Sequence, residues 1–69
     1  MKKHNAYNIV DQDGNILYHA VAHNFARVNG LAAEKGYDIE DLKIELERSN
    51  VRDEMGRPIP EYIDDARVK

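Results

Sequence analysis

The segment "AYNIVDQDGNILYHAV" constrains this chain most: two runs rich in Tyr, Ile, Val and Leu flank a short polar stretch ending in Asp13-Gly14. Runs of that composition around a glycine-bearing turn form a β-hairpin. A three-residue loop, Gln12, Asp13 and Gly14, places Gly14 in the left-handed conformation that glycine adopts without steric cost. That register sets Asp11 opposite Asn15, Val10 opposite Ile16, and Ile9 opposite Leu17. A two-residue Asp13-Gly14 turn is the alternative and shifts the pairing by one. Since a one-residue slip exchanges the two faces of a strand, the register decides which side chains are core.

In the three-residue register, one hairpin face carries Tyr7, Ile9, Leu17 and Val21. The other carries Ala6, Val10, Ile16, Tyr18 and Ala20. Both faces are then apolar, and a single helix covers one. The second needs a cover from the C-terminal segment, a second copy of the chain, or another protein.

The helix itself follows, over residues 24–35. Asn24 is a suitable N-cap, and Phe25, Val28 and Ala32, with Leu31 beside them, recur at helical spacing. Gly36 suits the position after the last turn, with Tyr37 making the contact that often follows it. Gly30 costs about 1 kcal/mol relative to alanine inside such a helix. At 100° per residue, Ala22, Ala26, Gly30 and Ala33 fall along one smooth flank. A second backbone could approach there, although alanine is also simply a good helix former.

"DLKIELER" alternates, with Leu42, Ile44 and Leu46 on one side and Lys43, Glu45 and Glu47 on the other. That is a strand with one solvated face. The expected fold is α+β: a three-stranded, mainly antiparallel β-β-α-β sheet with one packed helix. Residues 1–48 form this core domain. Residues 49–69 are expected as an irregular or short-helical C-terminal segment, packing on the core or partly disordered, with a short hairpin around Met55-Gly56, breaks at Pro58 and Pro60, and a helical turn or two over "PEYIDDARVK".

Several chemistries find little support. The "DQDGN" stretch has calcium-loop oxygens at Asp11, Asp13 and Asn15. Counting from Asp11, however, position six is Ile16 rather than glycine and position twelve is Ala22 rather than glutamate. The stretch is read as a hairpin turn. His19 and His23 are four apart but straddle a strand-to-helix boundary, and zinc needs further ligands. The chain has one serine, Ser49, and neither threonine nor cysteine, so nucleophilic catalysis has almost nothing to use. Adjacent Asp64 and Asp65 rarely converge on one substrate atom. No cofactor, no metal and no enzymatic activity is expected.

Charge is unevenly placed. The first 33 residues sum to +1 with histidine neutral, and the remainder to −4. No basic stripe exists to neutralise a phosphate backbone, so nucleic acid is not an expected partner. No signal-like apolar run opens the chain and none approaches a membrane span of roughly 20 residues; the expected location is the cytoplasm.

The β-β-α-β layout, carried by "YNIVDQDGNILYHAV", the helix ending in "EKGYD" and the strand "LKIELER", resembles small phage- and plasmid-encoded proteins that inhibit host machinery. RNA polymerase inhibitors and some anti-CRISPR proteins have that plan. The resemblance spans residues 6–48, concerns layout alone and transfers no functional residue. The "DGNI…AAEKGYDIEDL" run is also similar to the N-terminal domain of bacterial translation initiation factor three, without that domain's basic character.

The resulting expectation is a non-enzymatic protein-interaction module that inhibits or regulates a larger host protein with a basic surface. The alternative is a homodimer closed through the second hairpin face or the smooth helix flank, and a nucleic-acid- or ribosome-associated module comes third. The contact residues expected are Tyr18, Ala26, Gly30, Glu45, Glu47, Asp64 and Asp65.

Overall fold

The computed structural model describes residues 3–67. Strands β1 (Asn5–Val10) and β2 (Ile16–Ala22) form the hairpin, followed by helix α1 (Phe25–Lys35), β3 (Lys43–Arg48) and β4 (Tyr62–Asp65). The strands make one antiparallel sheet in the order β3-β1-β2-β4. The α+β class is as expected, but the sheet has four strands rather than three. "YIDD" pairs along β2 instead of forming a helical turn. Ile63 decides this: at 1% exposure it is among the most deeply buried side chains of the fold, and strand pairing opposite Ala20 is what takes it there.

The loop closes as expected. Asp11 and Asn15 join through the Asp11 amide and Asn15 carbonyl at 3.0 Å, the Gly14 amide donates to the Asp11 carbonyl at 3.1 Å, and Gly14 has φ +84°. Val10 lies opposite Ile16 as expected, but Ile9 lies opposite Tyr18, not Leu17. A β-bulge at Leu17 inserts one residue into β2, and everything after it changes face. Tyr18 and Ala20 therefore join Tyr7 and Ile9 on the helix-side face, and Val21 leaves it. The face assignment from the unbulged register is overturned at those three positions.

The core consists of Tyr7, Ile9, Tyr18, Ala20, Ala22, Val28, Leu31, Ala32, Ile39 and Ile63. Burying a side chain such as Ile9 or Val28 completely is worth about 1.5–3 kcal/mol. Asn24 caps α1 through its side-chain oxygen, which accepts the Arg27 amide at 2.8 Å. Gly36, at φ +76°, ends the helix, and the Tyr37 amide returns to the Ala32 carbonyl at 2.9 Å. Tyr37 then stacks on Tyr18 with ring centroids 4.6 Å apart.

The helix lies over β2 and β4. That position explains two departures from the expected core. Phe25 is 51% exposed, with its ring tilted against that of Tyr7 at a centroid distance of 4.9 Å. Leu46, paired with Tyr7 on the edge strand β3, is 52% exposed because the helix does not reach that far.

Residues 49–61 carry the chain from one sheet edge to the other past the start of β1. Asn50, left-handed at φ 55°, makes the turn out of β3. Its amide donates to Asn5 Oδ1 at 3.0 Å, the Val51 amide to the His4 carbonyl at 2.8 Å, and His4 Nδ1 to the Ile59 carbonyl. The expected hairpin around Met55-Gly56 is present, closed between Asp53 and Arg57 with Arg52 bridging Pro58.

Candidate functional site

The helix covers one face of the sheet, and strand alternation dictates what the other presents. Along β1 that open face receives Ala6, Asn8 and Val10; along β2, Ile16, His19 and Val21; along β3, Lys43 and Glu45; along β4, Tyr62 and Asp64. The registers align four of these in one row across the sheet: Glu45 beside Asn8, Asn8 beside His19, and His19 beside Asp64. Neighbouring strands are about 4.8 Å apart, so the row spans about 14 Å from one acid to the other. His19 Nδ1 donates to Asn8 Oδ1 at 2.8 Å, tying the middle of the row together. Tyr62, opposite Val21, stands in the next row, 40% exposed.

The open face is thus polar along its central row, and the expected second apolar face is only partly replaced: Ala6, Val10 and Ile16 remain on it and Val21 joins them, with Ile16 42% exposed. The Leu17 bulge is the cause, since it carries Tyr18 and Ala20 away. The valines there are covered: Val10 and Val21 are 6% and 4% exposed.

The expected contact residues divide accordingly. Glu45 and Asp64 are exposed and share the open face, 19 positions apart in sequence. Glu47 is also exposed but falls at a second bulge: Leu46 pairs with Tyr7 and Arg48 with Ala6, leaving Glu47 unpaired. Asp65 is engaged by Arg67, whose Nη2 lies 2.9 Å from Asp65 Oδ2. Hydrogen bonds from the Arg67 side chain hold its carboxyl below the ordinary range. Tyr18 is 7% exposed, stacked on Tyr37 and capped by the Arg67 guanidinium 5.3 Å from its ring centre, so its ring is withdrawn from any contact surface.

The smooth helix flank does not survive as drawn. Ala22 belongs to β2 and is fully buried, leaving the exposed Ala26 and Ala33 with Gly30 between them. A Cβ on Gly30 meets only the Arg27 side chain, at 3.4 Å, so no backbone within the fold requires glycine there.

The other polar groups serve the fold. Asp11 Oδ1 accepts the Asp13 and Asn15 amides at 2.9 Å each, and the Asn15 amide above all lowers the carboxyl's pKa. This carboxylate organises the hairpin loop. Glu61 joins the segment before β4 to the helix, accepting from His23 Nδ1 at 3.1 Å and Arg27 Nε at 3.0 Å. Burial works to raise its pKa, but the bonds from Arg27 and His23 outweigh this and leave it lowered. Among the described residues no three His, Asp or Glu side chains are grouped so as to hold a metal ion, and no helix is long and apolar enough to cross a membrane.

Sequence reasoning missed Asn8, His19 and Tyr62. The signal for the first two was present: each is a polar residue interrupting an otherwise apolar strand, at a position whose neighbours two residues away share its face. No family model, no curated protein and no solved structure matches this chain.

Proposed function

We propose that this chain is a non-enzymatic protein-interaction module that regulates or inhibits a larger protein by occupying a basic surface on it. The observation that carries the reading is the row Glu45–Asn8–His19–Asp64 with Tyr62 beside it. A sheet face that the helix does not cover, with Asp64 at one edge and Glu45, beside Lys43, at the other, offers hydrogen-bonding groups at its centre and one half-exposed tyrosine as an anchor. Tyrosine is enriched in interface hot spots because it buries a large ring while keeping a polar tip. Acids at the rim complement a basic partner and accelerate encounter. The non-enzymatic part is supported by the carboxylates that the fold already uses: Asp11 in the loop, Glu61 on the helix and Asp65 on Arg67.

The test is capture from lysate of the native host, comparing the wild-type chain with Tyr62→Ala and Asp64→Lys at low and moderate salt. One stoichiometric large protein retained by the wild type and lost from both variants supports the reading. Equal retention by all three removes the open face from it.

A further inference from the structure

We infer that the free edge of β3 binds the same edge of a second copy of this chain, antiparallel and centred on Ile44, joining two four-stranded sheets into one. Strand β3 pairs with β1 along one side only, so the amides and carbonyls along its other side have no strand partner among the described residues. Such an edge accepts an additional strand unless something blocks it. The sequence of this edge is complementary to itself. A two-fold axis through Ile44 sets Ile44 against Ile44 of the second copy and Lys43 against Glu45 of the second copy, twice over.

The faces agree as well. Lys43 and Glu45 project on the open side, where their own charges already lie 3.6 Å apart within the strand. Across the axis the two pairs form a four-charge group of alternating sign. On the helix side the same register brings Leu42 beside Leu46 of the second copy, which gives the half-exposed Leu46 an apolar neighbour. The bulge at Glu47 ends regular pairing just where that glutamate would otherwise meet Asp41 of the second copy. Moving the axis along the strand by one residue to Glu45, or by two to Leu46, places glutamate against glutamate in either case. Cross-strand pairs of opposite charge stabilise a sheet, and like charges directly opposite weaken it. The other edge does not have this property. Strand β4 reads Tyr62-Ile63-Asp64-Asp65; pairing with itself about Asp64 opposes two aspartates, and pairing about Ile63 sets Tyr62 against Asp64.

This goes beyond the proposed function and does not rest on it, because it concerns the purified chain alone. The experiment is sedimentation velocity over a concentration series with wild type, Lys43→Glu, Glu45→Lys and the double variant carrying both changes. A short edge-to-edge contact is of the small, weaker class, so the expected wild-type result is a concentration-dependent rise from 7.9 kDa toward twice that mass. Each single reversal opposes like charges and returns the chain to monomer; the double variant restores opposite pairs and recovers the dimer. Both side chains are exposed, at 75% and 49%, so the fold is unaffected. A wild type that stays monomeric throughout, a dimer indifferent to both single reversals, or a double variant that stays monomeric overturns the inference. Loss of the captured partner in the preceding test leaves this result untouched, which keeps the two failures distinct.

Discussion

Replacing Ile63 by alanine tests whether the fourth strand is part of the folding unit or an appendage to a β-β-α-β domain. Ile63 is 1% exposed, packed in the main core and paired opposite Ala20. The change removes three carbon groups, at about 0.8 kcal/mol each for lost transfer from water. The cavity left behind adds to this, and Ile→Ala in a core costs about 2–5 kcal/mol. Because β4 is an edge strand that relaxes more readily than a central one, about 3 kcal/mol is expected. Stability for 69 residues is about 3.5–10 kcal/mol at the usual density per residue, so this single side chain is a third or more of it. Urea unfolding followed by circular dichroism measures the loss, and thermal melting should fall by about 12–24 °C. Met55→Ala, at a 76% exposed position, is the control and should change stability by about 0.5 kcal/mol or less. A cost at Ile63 below about 1 kcal/mol refutes the reasoning, because a fully buried isoleucine in a required strand cannot be so cheap.

Gly30→Ala and Gly36→Ala should act in opposite directions in the same urea assay. The first adds about 0.5–1 kcal/mol, since Gly30 is helical and its new Cβ meets only the flexible Arg27 side chain; the second costs about 1 kcal/mol, because Gly36 sits at φ +76°. Asn24→Ala removes the N-cap bond to the Arg27 amide and should cost about 1 kcal/mol. Glu61→Gln tests the junction between helix and β4 through pH. The Glu61 pKa is lowered in the fold from 4.5, so its stabilisation is complete well above that value and disappears as pH falls through the folded-state pKa. Wild type and variant should therefore differ at neutral pH and converge in acid; a constant difference down to low pH counts against that ion pair.

Much of the fold was legible because local chemistry and tertiary packing agree there. Asp11 to Asn15 closes its own loop, Asn24 caps its own helix, and Gly36 ends it, each through contacts a few residues apart. What was not legible depends on distant partners. In "PEYIDDARVK" the strand-favouring pair Tyr62-Ile63 is too short to mark a strand, and the two adjacent aspartates that follow argue against one. Ile63 becomes a strand residue because Ala20, 43 positions earlier, leaves room beneath the helix for it. Phe25 has the right spacing for the helix core but sits in the first turn, where the axis has carried it past the covered half of the sheet. Leu46 alternates correctly on a strand the helix does not reach.

The bulge at Leu17 links the fold to the surface most directly. The first hairpin pair, Val10 with Ile16, follows from loop length alone. Had the pairing continued without interruption, Tyr18 and Ala20 would lie opposite the helix, and the open face would be the apolar one expected from the sequence. One extra residue reverses this. It delivers Tyr18 to Tyr37 and Ala20 to Ile63, and it brings His19 into line with Asn8, Glu45 and Asp64. The polar row proposed as a contact surface and the small-residue slot that admits β4 are therefore two results of one insertion. A variant that corrected the register by shifting β2 would lose both together, and hydrogen exchange at β4 would rise in step with any loss of binding at the open face.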